Sequence, residues 1–215
     1  MKVILVDLPG HGRTPPGDCK TIEEARDTIR DVIVDMGIGQ AYLAGHSMGG
    51  GIAISFALAY PELLKGIILI CTGAKLRVLP AILDNVLKDK EGTVRMIMMD
   101  YAFSTKAPRK MKENGFNDMM KSSAEIIYQD FTACDRFNVV GSLANVSIPA
   151  MIISGQDDLL TPPSYSEYLH REIKNSRMVV IEDAGHMVMI EQPDPVNRAI
   201  EGFVSKVSVK SRILP

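Results

Sequence analysis

The chain has 215 residues, 46% of them hydrophobic, and a formal net charge of -2, which suits one domain with a sizeable core. Its near-neutral balance, with no basic stripe or acidic tail, excludes a nucleic-acid binder and a solvating arm. No apolar run approaches the roughly 20 residues that span a bilayer, the opening "VILV" is too short for a signal-peptide core, and the widely spaced Cys19, Cys71 and Cys134 fit neither a metal-ligand pattern nor a disulfide framework, so a cytoplasmic setting is expected.

In chain order, "KVILVDL" (2–8) is a β-branched run before "PGHGRTPPGD", which is dense in turn formers. That pattern predicts a buried strand and a loop. Ile22, Ala25, Ile29, Val32, Ile33 and Met36 then recur at helical spacing, with Thr21 and Glu24 as a capping box and Gly37 as the stop. A strand at 40–45, a helix from Gly50 to Tyr60 stopped at Pro61, and a strand at 64–73 follow.

The rhythm breaks from Ala74 to Asn145, where no convincing strand stands. Val94, Ile97, Met98 and Tyr101 form one helical stripe and Ile127, Phe131 and Cys134 another, punctuated by Pro80, Pro108 and Gly115. Alternation resumes with a strand at 148–155, a helix at 162–174, a strand at 176–185 and a last helix from Asp194–Pro195. Strand–helix alternation predicts a parallel sheet covered on both faces, and chemistry in such sheets gathers at the carboxyl ends of the strands.

The loop after the strand at 40–45 reads "LAGHSMGGGIAIS". A G-x-S-x-G run also arises by chance in glycine-rich turns. Here a strand precedes it and a helix follows, the context in which a serine sits on a strained turn with its hydroxyl clear of the sheet. Bare residues at Gly45 and Gly49 are expected to let strand and helix approach, and the Met48 amide is placed to donate to an oxyanion. A serine needs a base, and the base an acid to hold its tautomer. Of the four histidines, His46 adjoins Ser47 and suits packing, His11 suits bracing of its turn, and His170 suits a solvated helix face. His186 follows the last strand and is the expected base. Asp157 and Asp158 both follow the preceding strand; the spacing of Asp158 to Gly155 and Thr161 favours it as the acid.

With "VDLPGHGRT" (6–14), "LAGHSMGG" (43–50), "ISGQDDLLTPP" (153–163) and "DAGHMVMIEQPD" (183–194) in order, the chain resembles the α/β-hydrolase superfamily. The resemblance is to its small bacterial carboxylesterases, enol-lactonases and haloperoxidase-like esterases. It implies Ser47 as nucleophile, Asp158 as acid and His186 as base, with a core formed by residues 1–73 and 146–215 and a helical lid over 74–145. It also implies early strands, and a His-Gly loop giving a second oxyanion donor, that precede the "DLPGHG" strand in relatives and have no counterpart in this sequence. Of the residues present, the turn at Pro9–Arg13 is the nearest candidate for that donor. The uncovered edge of the Val3–Asp7 strand invites self-association.

The expected function is hydrolysis of small carboxylic esters through an acyl-enzyme, with no metal or organic cofactor and no nucleic-acid or membrane partner. The alternatives are enol-lactone or carbon–carbon bond hydrolysis or acyl transfer by the same triad, and a silent binding protein without a complete oxyanion site. Of the 13 methionines, Met96, Met98, Met99, Met111, Met119 and Met120 fall in the lid, and Met48, Met187 and Met189 near the triad; together they suit an adaptable apolar pocket. The basic run "KAPRKMK" (106–112) suits a solvated helix end.

Overall fold

In the computed structural model, the structure describes residues 2–17 and 19–210, with side chains to residue 207. Met1, Asp18 and residues 211–215 of the expected core lie outside the described residues.

Four parallel strands form the sheet in the order β1 (Ala41–His46), β2 (Leu64–Ile70), β3 (Ala150–Gly155), β4 (Ser176–Ile181). Ala44 stands opposite Ile68, Ile67 opposite Ala150, and Ala150 opposite Ser176. Side chains alternate across a strand, and the central strands are apolar on both sides. Ile67, Leu69, Ala150 and Ile152 enter one core with α1 (Ile22–Asp35), α2 (Met48–Ala59) and α7 (Pro163–Glu172). Ile68, Ile70, Met151 and Ile153 enter the other, under Val196 and Phe203 of α8 (Pro193–Lys210). Covering both faces is what a parallel sheet requires.

Local signals explain most boundaries. Thr21 accepts the Glu24 amide at 3.1 Å, and the Glu24 carboxylate turns back to the Lys20 amide at 2.6 Å, so both ends of the α1 cap are satisfied. Gly37, at φ +63°, lets the Ile38 amide reach back to Ile33 at 3.0 Å and close the helix. β2 ends early at Ile70 because Cys71 takes φ +45°.

Between β2 and β3 the chain forms α3 (Pro80–Asn85), α4 (Lys90–Met96), α5 (Arg109–Met119) and α6 (Ala124–Arg136). Its one β pairing among the described residues is an isolated bridge, Lys75 to Asn138. The stripe from Val94 to Tyr101 is not a single α-helix, since α4 widens into a π-helical turn over Ile97–Tyr101. Gly115 lies inside α5 rather than ending it.

The expected strand at 2–8 does not form. Residues 2–7 join no ladder, and Val3 and Leu5 are 69% and 91% exposed. β-branched composition gives a run the tendency to be a strand, but pairing makes it one. A cavity of about 330 Å³, lined by Ile4, Val6, Leu8, Leu43, Gly49 and Ile52, separates this segment from β1. The loop that follows is nevertheless anchored. Arg13 N and Thr14 Oγ1 donate to Asp7, and His11 Nε2 meets Asp130 Oδ2 of α6 at 2.8 Å. The Asp130 hydrogen bond raises the pKa of His11 above the ordinary imidazole value. His11 therefore braces its turn, as expected.

Candidate active site

β1 delivers the chain into a turn at Ser47, φ +52° and ψ -115°, a conformation few L-residues adopt. Bonds to its main chain hold it there, among them those of the Gly50 and Gly51 amides to Ser47 O at 2.9 and 3.2 Å. Ser47 N donates to Ile70 O at 2.9 Å, and Thr72 Oγ1 donates to Ser47 O at 2.7 Å. The hydroxyl makes no capping bond to α2. A Cβ on Gly45 would fall 1.9 Å from the Gly49 carbonyl oxygen, so position 45 must be bare. The same argument fails at Gly49, where a Cβ would meet nothing within 4 Å; that position faces the cavity beside β1. The close approach expected there occurs instead at Gly50, whose Cβ would lie 2.5 Å from the Thr72 side chain. Met48 opens α2, so its N–H has no acceptor within the helix.

The loops after β3 and β4 bring Asp158 and His186 together. His186 Nδ1 donates to Asp158 Oδ2 at 2.9 Å, and both residues are buried. The other carboxylate oxygen accepts the amides of Leu160 and Thr161, each at 2.9 Å, and Thr161 Oγ1 donates to Oδ2 at 2.7 Å. Burial pushes the carboxyl up. The His186 hydrogen bond and charge, with the Thr161 bonds, outweigh it and leave the pKa of Asp158 below the ordinary value. Asp157 is exposed. The two loops touch through backbone, since a Cβ on Gly155 would lie 2.2 Å from the Gly185 carbonyl oxygen.

His46 packs its ring on that of His186, centroids 4.6 Å apart, and donates Nε2–H to the His186 carbonyl at 2.9 Å. Desolvation, aided by the neighbouring His186, lowers its pKa to about 3, so it stays neutral. The residue before Ser47 thus holds the backbone of His186. His46, Cys71 and His186 place three donor atoms within 4.8 Å of one another, the one potential metal cluster among the described residues. Of these groups the Cys71 thiol keeps its proton, because burial holds its pKa well above the usual thiol range, and a protonated thiol is a poor metal ligand. This donor set does not favour a metal ion. His170 is exposed on α7 and bonded to Ser176.

Ser47 and His186 open onto one hollow of about 600 Å³, an ordinary size for a small-molecule pocket. Leu76, Ile82, Ile97, Phe131 and Leu160 give it apolar walls, and Met98, Met119 and Met187 are the methionines that reach it. The remaining methionines of the helical segment do not line it. No residue of Pro9–Arg13 lines it either. The amides of Gly10, His11 and Arg13 are bonded to Pro15, Leu8 and Asp7, which commits three N–H groups of that turn to its own loop. The run 106–112 also stays outside: Lys106 pairs with Asp183 and Arg109 with Glu113.

A profile of the alpha/beta hydrolase family matches residues 2–199. The chain belongs to that family. The pimeloyl-[acyl-carrier protein] methyl ester esterase of Neisseria meningitidis serogroup C is 27% identical over 218 residues, covering 95% of this chain and 84% of that enzyme. A solved thermophilic esterase is 34% identical with a TM-score of 0.85, covering 94% of this chain and 79% of that one. The enol-lactonase of Burkholderia xenovorans, at 20% identity and a TM-score of 0.86 over 93% and 79% of the two chains, shares the fold. No helix among the described residues is long and apolar enough to cross a membrane.

Sequence reading passed over Glu191. Its carboxylate accepts the Gly185 amide at 2.8 Å and the Ser104 amide at 2.9 Å, tying the His186 loop to the segment between β2 and β3. Only the spacing of Glu191 after His186 could have flagged it, and spacing does not reveal which amides it meets. Glu191→Gln leaves one acceptor and turns an N–H donor toward an N–H. We expect a loss of about 1–3 kcal/mol, read as a Tm several degrees lower, together with slower ester turnover. An unchanged Tm would show that the two amides find other acceptors.

Proposed function

We propose that this protein is a serine hydrolase that cleaves small carboxylic esters. The observation that carries this reading is one arrangement: a buried, hydrogen-bonded His186–Asp158 pair and a strained Ser47 turn opening onto the same apolar pocket. With Nδ1–H committed to Asp158, His186 is oriented to present Nε2 to the pocket, the arrangement a general base needs. His186 takes the Ser47 proton as Oγ attacks the ester carbonyl. The tetrahedral oxyanion is received at the N-terminus of α2 by the Met48 N–H. His186 then gives the proton to the leaving alkoxide, and the alcohol departs. Water repeats the cycle on the acyl-enzyme: His186 accepts a proton from it, returns it to Ser47 Oγ, and the carboxylic acid leaves. Asp158 stays ionised throughout, holding the ring and stabilising the imidazolium. The chemistry needs no metal or organic cofactor. The names of the two similar esterases support an ester as the substrate class.

A fluorophosphonate probe tests this directly. We expect a covalent adduct that mass spectrometry of the digest maps to Ser47. An adduct on another residue, or labelling unchanged in Ser47→Ala, rejects the assignment.

A further inference from the structure

We infer that the pocket takes esters whose acyl chain ends in a carboxylate, with Arg77 as the residue that selects them; this deepens the serine-hydrolase reading and rests on it. Arg77 is the one Lys, Arg, Asp or Glu side chain that lines the hollow holding Ser47 and His186. It is exposed and forms no ion pair among the described residues, although arginines 26, 30, 95, 109 and 171 all do.

Arg77 also lines a second hollow of about 430 Å³, which shares Tyr165 with the first, so the two adjoin. The second hollow carries Lys75, likewise without an ion pair, and the hydroxyl-bearing Ser164 and Tyr168. Lys75 and Arg77 both line this second hollow. Asp135, on the neighbouring α6, accepts the Val78 amide at 3.2 Å and lines neither the first hollow nor the second. No other carboxylate lines either one. The result is an apolar chamber with a cationic vestibule rich in hydroxyls. A ligand matched to it has a reacting ester, an apolar middle and an anionic end. A carboxylate suits the planar fork of arginine, which makes monoesters of dicarboxylic acids the matching class.

The test compares monomethyl suberate with dimethyl suberate, whose distal ends are a carboxylate and an uncharged methyl ester, following methanol release and counting the two equivalent esters of the diester. We expect Arg77→Gln to raise KM for the monoester about tenfold, the effect of a charge-assisted contact discounted for solvent exposure. The diester should change by less than about twofold, and added salt should erode the wild-type preference. Binding of monomethyl suberate to Ser47→Ala, followed by calorimetry, should weaken by a similar factor in Ser47→Ala/Arg77→Gln. This binding arm does not require turnover. If Arg77-dependent binding is present but the wild type cleaves neither ester, the anion site stands and the serine-hydrolase reading falls. Equal losses on both esters, or binding unaffected by Arg77→Gln, overturn the proposal.

Discussion

Ser47→Ala should lower ester turnover by about 10⁴- to 10⁶-fold, as removal of a triad nucleophile does elsewhere. Alanine keeps the Cβ and the strained turn, and the bonds that hold position 47 run through its main chain: its amide to Ile70 and its carbonyl from Thr72. The hydroxyl caps nothing. The melting temperature should therefore stay within a degree or two of wild type, which separates loss of chemistry from loss of fold. The residue that remains after substitution still offers the Met48 amide and the apolar pocket, so a small catalytic remainder over water is expected rather than none. A loss of tenfold or less, with the alanine variant folded, would mean that another group attacks the ester.

The parts of this site that were legible in the sequence share a feature: the constraint is local. A strand running into a helix with Gly45 two residues before Ser47 encodes its own turn, because the collision with Gly49 is set within five residues. Asp158 was legible for the same reason, since its carboxylate accepts the amides two and three residues on, a turn written into "DDLLT". What the sequence did not yield depends on partners distant along the chain. Residues 2–8 have the composition of a strand, yet a strand is defined by its neighbour, and the nearest one, β1, lies across a cavity. Glu191 meets Ser104 across 87 residues. Arg77 acquires meaning only when the chain folds it onto the mouth of the pocket among side chains that do not pair with it. Gly49 shows the converse error: a pattern position whose supposed steric reason is absent from the folded chain.

The neighbouring carboxylates give the other large effect. Asp158→Asn should reduce kcat by about 10⁴-fold with KM little changed, because it removes orientation of the base and not binding, whereas Asp157→Asn, at an exposed position, should stay within about twofold on the scale of surface substitutions. The size follows from the bonding around residue 158. Its Oδ1 accepts two backbone amides, so the oxygen of an asparagine would remain there, and the new NH₂ would occupy the place of Oδ2. That NH₂ would face His186 Nδ1, which in the wild type donates to Oδ2. Two donors cannot share the bond, so the imidazole would shift its proton to Nε2 and lose its lone pair toward the pocket. Stability should respond to pH in a matching way. Since folding lowers the Asp158 pKa, the wild type gains stability from this carboxylate above the ordinary aspartate value of about 3.9 and loses it as pH falls through the lowered value. Asparagine does not titrate, so Asp158→Asn should show a shallower decline in Tm below about pH 4 while being less stable at pH 7. If Asp157→Asn proved the more damaging of the two, the hydrogen bond between His186 and Asp158 would not be the one that catalysis uses.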